Sequence, residues 1–141
     1  MASIKVGVWN PYTKKCTIET IAKRGTAGLH DMYKLIDCKA VDARSVDKLL
    51  TVYFDDEYLL RQEQILAEKG TLAITRLPSM QGEIGLWGIL LFIDREVRDG
   101  EYHDIDLTWE RFDPIIDEME SAYPKEPVEV PPPIIIPLGR D

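Results

Sequence analysis

The sequence predicts an α+β fold, a small mixed and mostly antiparallel sheet of about four to six strands packed by two to three helices. Three observations carry that expectation. Residues 4–9 (IKVGVW) and 16–21 (CTIETI) alternate apolar and polar side chains with period two, as half-buried strands do. Leu29, Met32, Tyr33, Leu35 and Ile36 recur at the spacing of one helical face. Residues 85–93 (GLWGILLFI) are almost continuously apolar, the mark of a central strand buried on both sides.

In chain order, Asn10-Pro11-Tyr12-Thr13 reads as the turn of a first hairpin, with proline presetting the backbone at its second position. Thr26 is placed to cap the first helix. Residues 38–43 form a short alternating strand and residues 49–54 a stronger one. Residues 61–70 are polar with helical potential, ending at Gly70. A short strand follows at 71–75. Asp106 or Thr108 starts a helical turn, and Asp113-Pro114 reads as a second cap with proline at the first helical position. From there Phe112, Ile115, Ile116, Met119 and Tyr123 make one apolar stripe. Residues 1–123 thus form one α+β domain. Residues 124–141 hold six of the nine prolines and form an extended tail around Ile134, Ile135 and Ile136.

Composition narrows the function classes. A chain of 141 residues, 45% hydrophobic, is about one domain with one core. No apolar run reaches membrane-spanning length, so no membrane role is expected. No basic and apolar leader precedes the first strand, and two cysteines make no disulfide framework, so the expected location is the cytoplasm. The net charge of −8 is unevenly spread. Residues 1–50 carry nine Lys/Arg against five Asp/Glu, whereas residues 94–120 carry eleven acids against three arginines. Such a field repels phosphates, which makes direct nucleic-acid binding an unfavoured reading.

No catalytic constellation stands out. Asp55-Asp56-Glu57 follows the 49–54 strand with no nearby glycine to fold three carboxylates around one ion, so it reads as a solvated turn. His30 and His103 have no paired ligand at short spacing, and His103-Asp104-x-Asp106 is a fragment with a capping role for Asp106 as its plainer explanation. The glycines at 82, 85 and 88 precede or enter a strand and lack the strand–loop–helix setting of a phosphate cradle. No cofactor, no catalytic residue and no metal ligand is therefore assigned.

The order of elements resembles a family of small uncharacterised proteins of bacteriophages and mobile elements, a domain of unknown function. The resemblance rests on Gly28-Leu-His-Asp-Met-Tyr-Lys-Leu-Ile36, on Val52-Tyr-Phe-Asp-Asp-Glu-Tyr-Leu-Leu60, on Gly88-Ile-Leu-Leu-Phe-Ile93, and on Leu107-Thr-Trp-Glu110. It implies a phage or mobile-element origin, host cytoplasm as the location and a compact α+β domain, and it brings no catalytic residues.

Three functional expectations follow. The first is a non-enzymatic accessory protein that inhibits or redirects a host protein, a defence or nucleic-acid-binding protein among the candidates. Asp94, Glu96, Asp99, Glu101, Asp104, Asp106 and Glu110 would form its acidic docking surface, with Ile134, Ile135 and Ile136 as apolar anchors or as a route to homo-oligomers. The second is a binder that sequesters a nucleotide signal, with Tyr53, Phe54 and Trp87 for stacking and Arg44, Arg61 and Arg76 for phosphates. The third is a metal-dependent enzyme, with Asp55, Asp56 and Glu57 or His103, Asp104 and Asp106 as ligands.

Overall fold

The computed structural model describes residues 2–23, 25–77 and 85–122, and the tail with Ile134, Ile135 and Ile136 lies outside the described residues. The expected α+β architecture is present. β1 (Ser3–Asn10) and β2 (Lys15–Ala22) form the first hairpin, and α1 (Gly25–Ile36) follows. β3 (Val41–Ser45) and β4 (Thr51–Asp55) form a second hairpin. A 3-10 turn (Tyr58–Arg61) leads into α2 (Gln62–Lys69), then β5 (Ile74–Arg76) and β6 (Gly85–Trp87). β7 (Leu90–Arg98), β8 (Glu101–Ile105) and α3 (Trp109–Ala122) complete the chain. The main sheet runs β2-β1-β7-β4-β3 with β8 added on β7, every pairing antiparallel, and β5-β6 form a separate small ribbon.

Period two sorts the core into two layers. Ile4, Val6 and Val8 of β1, with Leu91 and Ile93 of β7, face α1 and pack with Ile36, Met32 and Leu35. Trp9, Val52, Leu90 and Phe92 face the other way, against Phe112, Ile115 and Met119 of α3 and Leu77 and Leu86 of the β5-β6 unit. Burying a side chain such as Phe112 or Phe92 contributes about 1.5–3 kcal/mol. The indole N–H of Trp9 donates to Thr75 Oγ1 at 2.8 Å in the interior, fixing β5 onto the sheet.

Gly7 sits under the second layer. A Cβ there would lie 2.5 Å from Leu107 and 2.8 Å from the Phe112 ring, so glycine is what lets the start of α3 rest on β1. Phe112 in turn packs against Phe92 with ring centroids 5.4 Å apart.

Several local expectations change. Thr26, expected to cap the first helix, is instead the second residue of α1. The apolar run 85–93 is not one strand. Gly88 adopts φ +82 with the Tyr58 ring against it, breaking the run into β6 of the small ribbon and β7 of the main sheet. α3 is one helix from Trp109: Thr108 Oγ1 accepts from the Arg111 amide as its cap, and Pro114 lies inside. Glu110 and Pro114 are both exposed, so the carbonyl that proline leaves without a helical donor lies on the solvent side of the helix. The strand expected at 38–43 begins at Val41, because α1 exits through Asp37 at φ 62 with the Cys38 amide donating to Tyr33 O. The strand expected at 71–75 is Ile74–Arg76, after α2 stops at Gly70 in the left-handed conformation.

Gly7→Ala should therefore cost about 1–3 kcal/mol by overpacking. Urea unfolding should show a lowered midpoint with unchanged slope.

Candidate functional site

The acidic stretch after residue 93 is organised as a β-ribbon. Up to Ile93, β7 is flanked by β1 and β4; from Asp94 onward its partner is β8, with Arg98 opposite Glu101 at the tip. Asp99 and Gly100 both take positive φ, at 53 and 77, the two-residue turn that matches the twist of paired strands. Directly opposite residues share a face, so Arg95, Val97, Tyr102 and Asp104 line one side, and Glu96, Arg98, Glu101 and His103 the other. Val97 and Tyr102 form a cross-strand pair that is 55% and 60% exposed. The Arg95 guanidinium stacks 4.9 Å over the Tyr102 ring, and Arg98 pairs with Glu96 at 2.6 Å.

The seven acids expected to form one docking surface divide into different roles. Glu96, Asp99, Glu101 and Asp104 stand on the ribbon. Asp94 is buried at its base and receives Arg111 Nε at 3.5 Å. Asp106 Oδ1 accepts from the Lys5 amide at 2.8 Å, and the Leu107 amide donates to Lys5 O, which ties the end of β8 to β1. Glu110 is exposed in the first turn of α3.

Arg111 joins three segments at that base. Its Nη2 donates to both Asp47 carboxylate oxygens, at 2.9 and 3.1 Å, while Nε faces Asp94. Asp47 also accepts from the amides of Leu49 and Leu50, each at 2.8 Å, and Arg95 Nε donates to Leu49 O. Partial burial opposes ionisation of Asp47, but the two amides and the guanidinium outweigh it and hold its carboxyl below the ordinary value. Burial likewise works against the Arg111 cation, and Asp47 and Asp94 more than offset it, raising its pKa.

At the other end of β4 lies a groove of about 380 Å³. Phe54, Leu59 and Leu60 line it together with Leu86 and Trp87, and Asp55 and Asp56 also belong to the lining. The carboxylate run is the expected turn. Buried Asp55 accepts from the Glu57 amide and from Arg61, so its charge is consumed in closing the turn, whereas Asp56 faces solvent. Tyr58 anchors the turn: its ring stacks on Trp87 with centroids 5.9 Å apart, and its hydroxyl accepts from the Ala73 amide and lies 2.5 Å from the Tyr12 hydroxyl.

The residues expected to hold a nucleotide do not meet. Phe54 and Trp87 share the groove, but Tyr53 packs on the opposite face beneath α1. Arg61 is held by Asp55, Arg44 is exposed on β3 and Arg76 is exposed on β5. The ligand fragments proposed for a metal also diverge. His103 and Asp104 point to opposite faces of β8, and Asp106 is engaged with Lys5. Among the described residues, no group of three or more His, Cys, Asp or Glu is arranged to hold a metal ion. None of the described helices is long and apolar enough to cross a membrane.

Family models, curated proteins and solved structures were all compared with the chain, and none matches.

Two measurements follow from the titrating groups. The folded pKa of Asp47 is depressed, so its stabilising contribution is complete above the unfolded value of 3.8 and is lost as pH falls through the lower folded value. Asp47→Asn should lower stability at neutral pH by on the order of 0.5 kcal/mol. Melting curves of the two proteins should converge as the pH drops below that range. Burial, followed by the Asp55 carboxylate, pushes the Cys38 thiol up to about 11. Iodoacetamide at pH 8 should label Cys38 at least about tenfold more slowly than free cysteine, read by mass spectrometry after digestion.

Proposed function

We propose that the chain is a non-catalytic accessory protein that docks on a basic protein surface through the β7-β8 ribbon. The observation that supports this reading is the ribbon's composition and exposure. An apolar cross-strand pair, Val97 and Tyr102, stands open to solvent on the face that carries Arg95 and Asp104, with Asp99 at the tip and Glu96 and Glu101 on the reverse face. Solvation alone would be served by charged residues. An exposed tyrosine beside an aliphatic residue on an acidic ribbon suits an interface instead, with the aromatic as anchor and the charges steering the approach. The base is stiffened by Arg111, Asp47 and Asp94, so little order has to be gained on binding.

A basic partner of this kind is a protein that itself handles nucleic acid, whose channel is lined with cations. In the phage or mobile-element setting that the resemblance implies, that partner is a host protein, and occupying its channel would inhibit or redirect it. The nucleotide-sequestering reading draws less support, because Arg44, Arg61 and Arg76 do not converge with Phe54 and Trp87.

The immobilised protein should recover one stoichiometric basic protein from bacterial lysate, and the purified partner then allows rates to be measured. Reversing the ribbon charge with Glu96→Lys, Asp99→Lys and Glu101→Lys should slow association about tenfold or more at low salt. Val97→Ser with Tyr102→Ser should instead speed dissociation. Association that is indifferent to both salt and charge reversal would defeat the proposal.

A further inference from the structure

The groove beside β6 is a second surface, remote from the ribbon. β4 and β7 are antiparallel, with Thr51 opposite Ile93, so Asp55 and Asp56 lie at the end of the sheet away from Asp94. About five strand residues, roughly 17 Å, separate the two ends. Three features define what the groove is suited to hold.

The first is apolar surface held rigidly in water. Leu60 is 83% exposed and Leu59 41%, both on the 3-10 turn that Asp55, Arg61 and Tyr58 lock in place. With Phe54 and Trp87 they line a preformed apolar slot. The second is charge. Arg61 is engaged by Asp55, and Lys69 lies 5.5 Å from the ring centre of Tyr12, outside the groove lining. Among the described residues, no hydrogen bond or ion pair engages the Asp56 carboxylate, and Glu57 and Glu63 are exposed nearby in sequence. The third is size. About 380 Å³ accommodates one or two side chains and is near the small end of ligand sites.

We propose that this groove seats a linear protein segment carrying an arginine or lysine next to an aliphatic residue. The aliphatic side chain packs on Leu59, Leu60 and Trp87, and the cation meets Asp56. Charge complementarity selects this occupant. A phosphate or an acidic peptide would be repelled by Asp56 and Glu57, and a purely apolar ligand would leave the carboxylate without a counter-charge. This site is independent of the ribbon, so a partner engaging both would gain by linkage, and either can fail alone.

The test uses the full ¹⁵N-labelled chain titrated with acetyl-Leu-Arg-Leu-amide, and with acetyl-Leu-Glu-Leu-amide as control. The chain holds three tryptophans. Trp9 is buried with its indole on Thr75, and Trp109 lies on α3, so each indole N–H reports a different place. The arginine peptide should move the Trp87 indole signal and leave that of Trp9 unchanged. Asp56→Asn should weaken that binding about twofold to fivefold, within the range for an exposed ion pair. Equal response to the glutamate peptide, indifference to Asp56→Asn, shifts confined to residues 95–104, or no response at millimolar peptide would each overturn the proposal. So would a Trp87 shift caused, without peptide, by Ile134→Asp, Ile135→Asp and Ile136→Asp, since the groove would then belong to the chain's own tail.

Discussion

The missing side chain at Gly7 sets the position of everything on the second face of the sheet. With no Cβ on β1 at that point, the Phe112 ring settles onto the strand and against Phe92. Phe112 fixes the first turn of α3, and the residue before it is Arg111. Placed there, the guanidinium reaches Asp47 in the β3-β4 turn and Asp94 where β7 leaves its neighbours. A packing constraint at one glycine thereby becomes an electrostatic clamp at the root of the ribbon. The order of cause runs from backbone to ring to cation, and a larger residue at position 7 would disturb all three.

Gly88 plays the corresponding part at the far end. Its left-handed backbone turns the chain out of β6 and into β7, and the face it bares is filled by the Tyr58 ring. Tyr58 then gathers Tyr12, the Ala73 amide and Trp87 around itself, in a small cluster with Ile65 and Leu72. The turn bearing Asp55, Asp56 and Glu57 is pinned by that cluster, which is why two leucines remain held in solvent. Both surfaces of interest are consequences of where a glycine permits an aromatic ring to sit.

The strands of the first hairpin, the face of α1 and the stop at Gly70 were legible because each is encoded locally, by period two, by helical spacing and by a left-handed terminus. The break at Gly88 was not. A glycine within an apolar run reads equally as a close-packed strand residue, and only Tyr58, thirty positions upstream, decides otherwise. Pro114 misled because proline is commonest at the first helical position, whereas here an exposed carbonyl tolerates it deeper in. The ribbon was readable in principle, since Asp99-Gly100 between alternating residues is a strong hairpin signal, yet residues 94–105 are expected only as an acidic docking surface with no strands assigned. The groove and the clamp lay beyond sequence reasoning. Arg111 and Asp47 are separated by sixty-four positions, and the groove's segments 54–60 and 85–87 meet through the Tyr58–Trp87 stack.

A net charge of −8 understates how sharply the acids divide. A buried carboxylate must be matched, because removing it from water costs several kcal/mol. Asp55 and Asp94 are buried, and each holds an arginine, Arg61 and Arg111. Those arginines are thereby withdrawn from the surface, while Arg95 is spent on Tyr102 and on Leu49 O. The acids that face water, on the ribbon and beside the groove, are left with fewer cations than composition alone would suggest. Changes at Asp55 or Asp94 should accordingly register as stability, because Asp55 holds Arg61 and the Glu57 amide and Asp94 is one arm of the Arg111 clamp. Changes at Asp56 or Asp99 should register as binding, because neither holds the fold together. Matching the interior carboxylates is thus what leaves the exterior ones unmatched, and a partner of opposite sign can exploit that imbalance without any cost to the core.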